Sequence, residues 1–190
     1  MVDIIDILRQ EHRNIEKLLG AMEQELCVFD RGEHPDYEVF AAIIDYFRKY
    51  PDTCHHPKED VIYDKFKECD PARAAAVADL RAEHRDGAER LRRVAKAIDA
   101  VLNDQDFLRE DVDRIVRDFI DGERKHIALE DNVVFPAILS SLRPRDWAEI
   151  ALVLADRFGP ASQPDFEEQF STLRRNILDL EAAAAAQRRS

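Results

Sequence analysis

Residues 55–60 have the sequence HHPKED, and residues 126–131 have the sequence HIALED. Each places a histidine four residues before a glutamate, and positions i and i+4 lie one above the other on a single helix face. Two further segments match each other: residues 8–13 are LRQEHR, and residues 80–85 are LRAEHR. Histidine thus recurs on four separate parts of the chain, and on two of them a glutamate follows one helical turn later.

These matches define an internal repeat. The LRxEHR segments are offset by 72 residues, and the His-x-x-x-Glu segments are offset by 71. Within each half, the two histidines are separated by 43 or 42 residues. Each half is therefore predicted to be a helix hairpin, with one histidine on its first helix and a His/Glu pair on its second. Two such hairpins give a bundle with a pseudo-two-fold internal repeat.

The apolar periodicity predicts four long helices, at about residues 3–27, 37–67, 72–102 and 108–140. Only five of the 190 residues are glycine, fewer than a turn-rich β protein needs. Short connections between long helices favour antiparallel neighbours. We therefore expect an all-α, up-down-up-down four-helix bundle.

A helical extension is predicted after the bundle. Helical patterns at about residues 147–158 and 165–186 follow Pro144. We therefore divide the chain into a four-helix bundle at residues 1–143 and a C-terminal helical extension at residues 144–190. The pattern leaves open whether this extension caps the bundle or forms the contact of a homodimer.

The composition excludes several classes of partner. The chain has 40 acidic and 28 basic residues, a formal net charge of −12, which disfavours binding to nucleic acid or to an anionic membrane surface. It has no run of about 18 apolar residues and no signal-peptide pattern at its amino terminus. Its three cysteines are too few for a disulfide framework. We expect a cytoplasmic protein with no membrane and no nucleic-acid partner.

Six polar side chains lie on the otherwise apolar faces of the predicted helices, at positions where the periodicity predicts buried residues. They are His12, His55, Glu59, His84, His126 and Glu130. An unpaired carboxylate in a protein core carries a large desolvation cost, and no lysine or arginine lies on the same stripes. A bound metal ion would neutralise the carboxylates and use the imidazole nitrogens, so the pattern predicts a metal site.

The number of these side chains predicts two metal ions. Four imidazoles and two carboxylates would crowd one ion, whereas they suit two ions with the glutamates as bridges. Each ion would keep open coordination positions, which is typical of sites that bind exogenous ligands. Imidazole and carboxylate also suit zinc, copper and manganese, so these residue types do not select the metal.

Three segments resemble bacterial members of the hemerythrin-like, HHE cation-binding family. They are YPDTCHHPKEDVIY at 50–63, LRAEHR at 80–85 and HIALEDNVVFP at 126–136. The resemblance covers about residues 1–140 and implies a four-helix bundle that holds two iron ions, oxo- or hydroxo-bridged, without haem. Members of the family bind dioxygen reversibly, sense oxygen or iron, handle nitric oxide or peroxide, or repair iron–sulfur clusters.

The resemblance also implies a ligand set. It assigns His12 and His55 to one iron, His84 and His126 to the other, and Glu59 and Glu130 as bridges. The invertebrate oxygen carriers of the family have a further histidine four residues before the one on the third helix, where this chain has Leu80. The missing fifth imidazole implies a more open, more reactive or more weakly bound site, and it puts carrier-like oxygen binding in doubt.

The histidine pair at residues 55 and 56 allows two registers. Pro57 removes a backbone donor and predicts a kink, which leaves open whether His55 with Glu59 or His56 with Asp60 faces inward. We expect His55 to be the ligand, and we expect His56 to face solvent or to lie just outside the ligand shell.

Glu11 and Glu83 each precede a predicted ligand histidine and therefore point about 100° away from it around the helix. We expect both to be solvated at the edges of the bundle. The alternatives are a hydrogen bond to a ligand imidazole of another helix, or direct ligation in place of the missing histidine.

The leading functional hypothesis is a protein with two iron ions that binds or reacts with a small oxidant such as O2, NO or H2O2. The alternatives are an iron- or redox-responsive regulatory module whose extension contacts a partner, a catalase-like enzyme, and a helical interaction protein without metal. The sequence does not decide whether a bound ligand is turned over.

Overall fold

The computed structural model of the chain describes residues 4–103, 105, 108–158 and 166–188. Within these ranges the chain forms helices and turns, and no strand. The helices are α1 Ile4–Asp30, α2 Tyr37–Tyr50, α3 His56–Cys69, α4 Pro71–Val77, α5 Leu80–Leu102, α6 Arg109–Leu129, α7 Phe135–Ser141, α8 Pro144–Phe158 and α9 Phe166–Gln187. The all-α prediction is confirmed.

Four long helical segments build the bundle. Two of them are α1 and α5. The third is α2, which continues through a π-helical turn at Pro51–His55 into α3, and the fourth is α6, which continues through a π-helical turn at Glu130–Val134 into α7. The α1 helix packs on α2 and α6, and α5 packs on the same two helices. The four segments therefore close a ring around a common interior, as in a four-helix bundle.

The interior has a polar layer between two apolar cores. Along α1, one core ends at Leu8 and the other begins at Ile15, so that the buried His12 lies between them. The same interruption occurs on α5, where Leu80 belongs to one core and Leu91 to the other. The polar layer is thus held in place by hydrophobic packing on both of its sides.

The prediction of one continuous helix at residues 72–102 is wrong. The structure breaks it into α4 and α5 at Ala78, whose backbone is extended with φ −169° and ψ 160°. Asp79 then caps α5 by accepting a hydrogen bond from the Ala82 N–H, at 3.2 Å. An aspartate at the N-cap position stabilises the start of a new helix. The break at Ala78 cannot be recognised from the spacing of apolar residues.

The π-helical turns explain how two prolines fit into the bundle. In the first turn the His56 N–H bonds to the Pro51 carbonyl, and Pro57 follows at the start of α3. Proline has no backbone N–H to donate, and the change of hydrogen-bond register in the π-helical turn comes directly before the position where that donor is missing. Pro136 lies at the start of α7, directly after the second π-helical turn. The kink predicted at Pro57 therefore takes the form of one widened turn before it.

The C-terminal helices contact the bundle, with α8 on α3 and α9 on α1 and α2. Arg188 donates to both carboxylate oxygens of Glu25, at 2.6 and 2.7 Å, and Glu25 is fully buried. These contacts favour the capping role for the extension. The division of the chain after residue 143 and the homodimer stay predictions, and residues 159–165 and 189–190 lie outside the described ranges. None of the helices described is long and apolar enough to cross a membrane.

Candidate metal centre

The polar layer brings the six predicted ligand side chains together from all four helical segments. They are His12 on α1, His55 in the first π-helical turn, Glu59 on α3, His84 on α5, His126 on α6 and Glu130 in the second π-helical turn. Four of the six side chains are buried, and the imidazoles of His84 and His126 remain 13% and 11% exposed. The layer therefore has one fully buried half and one half that solvent reaches.

The buried half contains His12 and His55. Their Nε2 atoms lie 3.2 Å apart, His12 Nε2 is 3.1 Å from Glu130 Oε2, and His55 Nε2 is 3.2 Å from Glu59 Oε1. The ligand atoms of these four residues all lie within 4.8 Å of one another. Two nitrogens at about 2.1 Å from one metal ion and at right angles to each other would be about 3 Å apart, so this spacing fits a shared ion.

The other half contains His84 and His126. His84 Nε2 lies 3.4 Å from Glu59 Oε2 and 3.7 Å from Glu130 Oε1, and His126 Nε2 lies 3.5 Å from the same Glu130 oxygen. Each glutamate therefore directs one carboxylate oxygen towards His12 and the other towards His84. This is the arrangement that two bridging carboxylates require.

The centre contains buried polar atoms without hydrogen bonds. They include both carboxylate oxygens of Glu59 and Glu130, Nε2 of His84 and both ring nitrogens of His126. No lysine or arginine of the described ranges lies within ion-pair distance of either glutamate. Buried carboxylates in this state are strongly destabilising unless a cation neutralises them. These imidazole nitrogens and carboxylate oxygens, which are buried and lack hydrogen bonds, therefore fit a site for metal ions.

Carboxylates contact the outer nitrogens of the two buried histidines. His55 Nδ1 is 2.8 Å from Glu11 Oε2, and His12 Nδ1 is 3.1 Å from Asp131 Oδ1. Lys58, itself buried, donates to the second oxygen of Glu11 at 2.5 Å. The expectation that Glu11 is solvated is wrong, because it is 5% exposed and forms the alternative hydrogen bond to an imidazole.

His56 lies against the centre. Its ring stacks on His84 with 3.7 Å between ring centroids and 15° between ring planes, and its Nδ1 is 3.2 Å from Asp52 Oδ1. Ligand nitrogens of His56, His84 and His126 lie within 4.8 Å of one another, so these three imidazoles form a second group that could hold an ion. Of the two registers, the structure adopts the one with His55 and Glu59 buried, and His56 lies beside the centre as a third imidazole of the more exposed half.

A cavity of ≈ 190 Å³ opens beside the more exposed half. Its walls include His84, His126, Glu83 and Glu123, and neither His12 nor His55 lines it. A water molecule takes up about 30 Å³ of liquid volume, so the cavity has room for a diatomic molecule or peroxide together with water. Exogenous ligands can therefore approach the centre from the side of His84 and His126.

Glu123 is a cavity residue that the sequence analysis missed. Burial raises the pKa of its carboxyl to about 7, against the opposing effect of the Arg90 guanidinium. Glu123 lies three residues before His126 and seven before Glu130 on the same helical stripe. This spacing could have predicted that Glu123 faces the same side of the helix as His126 and Glu130.

Protons compete with cations for the centre. Burial opposes the charged form of His12, yet the carboxylates of Glu130 and Glu59 outweigh burial and raise its pKa to about 10. The same carboxylates raise the pKa of His84 to about 10, again against burial. The pKa of His55 rises to about 9, because Glu59 and Glu11 outweigh its burial. In the metal-free protein, imidazolium groups therefore supply positive charge between the glutamates at neutral pH.

Fold and side chains together define a helical-bundle protein with a buried histidine–carboxylate cluster suited to metal ions. The family described as "Hemerythrin HHE cation binding domain" matches residues 3–138, and the chain belongs to this family. No significant match was found among curated proteins or solved structures.

Removing the metal is expected to make stability strongly dependent on pH. The raised histidine pKa values stabilise the metal-free fold at low pH, and this contribution is lost as pH rises from about 6.5 towards 10. Urea unfolding of the chelator-treated chain, followed by circular dichroism, should show a falling free energy of unfolding across that window.

A His12→Gln variant should weaken this slope, whereas His34→Gln, at an exposed position outside the centre, should leave it unchanged. A metal-free wild-type chain with constant stability between pH 6.5 and 10 would contradict the proposed role of protons in the centre.

Proposed function

We propose that the chain binds two iron ions in the polar layer and binds or reacts with a small oxidant, O2, NO or H2O2, on the side of the cavity. The proposed ligands of the first ion are His12 and His55, and those of the second are His84 and His126. Glu59 and Glu130 are proposed to bridge the two ions. Iron, and an oxo or hydroxo bridge, rest on what the hemerythrin resemblance implies.

The observation that carries this proposal is the orientation of the two glutamates. Each presents one oxygen to the His12 side and one to the His84 side, at 3.1 to 3.7 Å from the imidazole nitrogens. A single ion would leave half of these buried oxygens without positive charge. Two ions would satisfy them all and would still leave coordination positions open towards the cavity.

Iron, when bound, supplies redox chemistry and Lewis acidity. The residues of the chain provide the surroundings. Phe119 and Leu91 line the apolar wall of the cavity, and Glu123 lines its polar wall. In the metal-free chain, burial raises the Glu123 pKa to about 7. Bound cations would lower this pKa and favour the carboxylate, which can accept a hydrogen bond from a ligand in the cavity.

Metal analysis tests the proposal. Protein purified from iron-supplied cells should contain about two iron atoms per chain, and azide or peroxide should change its near-ultraviolet absorption. His84→Ala should lower the iron content and reduce this response, whereas His34→Ala should match the wild type. Iron-free protein from such cells, or a His84→Ala variant with unchanged iron and spectra, would contradict the proposed site. Oxygen release from peroxide would distinguish turnover from binding.

Gly87 tests the proposed entry route. Gly87 lines the cavity, and a Cβ atom at this position would lie 2.9 Å from Glu123 Oε1. Gly87→Leu should fill part of the cavity and slow the binding of azide at least tenfold, without lowering iron content. Stopped-flow absorption measures the rate.

The matched control is Gly20→Leu, because no heavy atom lies within 4 Å of a Cβ built at Gly20. Its azide-binding rate should equal that of the wild type. Equal rates in all three proteins would show that ligands reach the centre by another route.

A regulatory role is the second candidate, and one set of contacts favours it. The ring of Tyr50 stacks near His55 at 6.4 Å between centroids, and the same ring contacts Phe170 of α9 at 5.1 Å. Loss of metal could therefore be transmitted from His55 to the C-terminal helix. Under this role, chelation should increase amide hydrogen exchange in α9, and unchanged exchange there would argue against it.

Two further points stay predictions from the sequence. One is the cytoplasmic location, and the other is a homodimer formed through the C-terminal helices.

A further inference from the structure

The internal repeat makes the two halves of the centre comparable position by position. Glu11 corresponds to Glu83 across the offset of 72 residues, and Asp60 corresponds to Asp131 across the offset of 71. If the two halves were identical, a carboxylate would contact the Nδ1 atom of each of the four histidines. We call such a contact an outer contact.

The outer contacts exist in one half only. Glu11 and Asp131 contact the Nδ1 atoms of His55 and His12, at 2.8 and 3.1 Å. In the other half, His126 Nδ1 is buried without a hydrogen-bond partner. No carboxylate of the described ranges lies within 4.0 Å of His84 Nδ1.

The sequence explains why the first contact is not repeated. Lys58 is buried and holds Glu11 inside the bundle by an ion pair of 2.5 Å. The position that corresponds to Lys58 in the second half is Leu129, which offers no positive charge to Glu83. Glu83 instead lines the cavity.

The second contact is also not repeated, since no oxygen of Asp60 lies within 4.0 Å of His84 Nδ1. Arg81 binds the carboxylate of Asp64 at 2.9 and 3.1 Å and lies 3.7 Å from Asp60. The position that corresponds to Asp64 in the second half is Phe135. The equivalent arginine, Arg9, lies 3.8 Å from Asp131, whose carboxylate also contacts His12 Nδ1.

We propose that the two cation positions are unequal, and that the position between His12 and His55 fills first and holds its ion more tightly. Glu11 and Asp131 are positioning residues for it. They hold the proton of each imidazole on Nδ1, which leaves Nε2 free as the donor atom and increases its basicity. Although His56 lies within 4.8 Å of its two imidazoles, the position at His84 and His126 lacks these carboxylate contacts and lies beside the cavity, so it fills second and loses its ion first. This inference rests on the proposed two-ion site.

Stepwise metal binding tests this order. The metal-free full-length chain is titrated with Co²⁺ against a competing chelator, and two dissociation constants are fitted. The wild type should bind its first ion at least tenfold more tightly than its second, beyond the statistical factor of four for equal sites. Glu11→Gln should weaken the first constant by about 10- to 100-fold, as loss of an outer contact commonly does.

The matched control is Glu83→Gln, which should leave both constants within threefold of the wild type. Because Glu11→Gln removes the ion pair between Glu11 and the buried Lys58, circular dichroism checks that the variant is folded. Asp131→Asn, paired with Asp60→Asn as its control, provides the same comparison at a more exposed position.

Two wild-type constants that differ by no more than the statistical factor of four would overturn the inference. So would an unchanged first constant in both Glu11→Gln and Asp131→Asn, or an equal loss in Glu83→Gln. Each of these results leaves a two-ion site intact. If the wild type binds fewer than two ions, the proposed function itself fails, and the two failures are therefore distinguishable.

Discussion

The carboxylates of Glu59 and Glu130 are buried at the centre of the bundle, and the four long helical segments are arranged around them. Both carboxylates lie in a layer between two apolar cores, where water cannot solvate them and no arginine or lysine of the described ranges pairs with them. Four imidazoles surround them, one from each long helical segment. The structure thus accepts a large desolvation cost at its centre, which a helical bundle selected for stability alone would avoid. Cations are the partners that would remove this cost.

Basic side chains neutralise the two carboxylates that contact His55 and His12 from outside, so these carboxylates do not change the net charge of the centre. Lys58 pairs with Glu11, and Arg9 lies near Asp131, so each outer carboxylate has a basic neighbour. The inner pair of glutamates keeps two negative charges, which protonated histidines offset when metal is absent. Metal binding and protonation are therefore alternatives at the same atoms.

Much of this arrangement could be predicted from the chain itself. Apolar periodicity located the long helices because each buries one face, and the repeat located His12 and Glu130 because polar residues interrupt that face. What periodicity could not detect was local backbone geometry. The break at Ala78 depends on the capping side chain of Asp79, and the widened turn before Pro57 depends on a change in hydrogen-bond register.

The roles of Glu11 and Glu83 could not be predicted for a different reason. Both precede a histidine and look equivalent in the repeat, yet only Glu11 has a lysine from another helix to hold it inside. This difference depends on a contact between two helices, so the residue pattern of a single helix does not reveal it. The position of His56 has the same origin, since its stacking on His84 joins α3 to α5.

Anomalous diffraction at the iron edge, from crystals of the iron-loaded chain, would locate the ions relative to the two glutamates. We expect two anomalous peaks, both flanked by Glu59 and Glu130, with one beside His12 and His55 and the other beside His84 and His126. A single peak, or peaks outside this layer, would contradict this expectation.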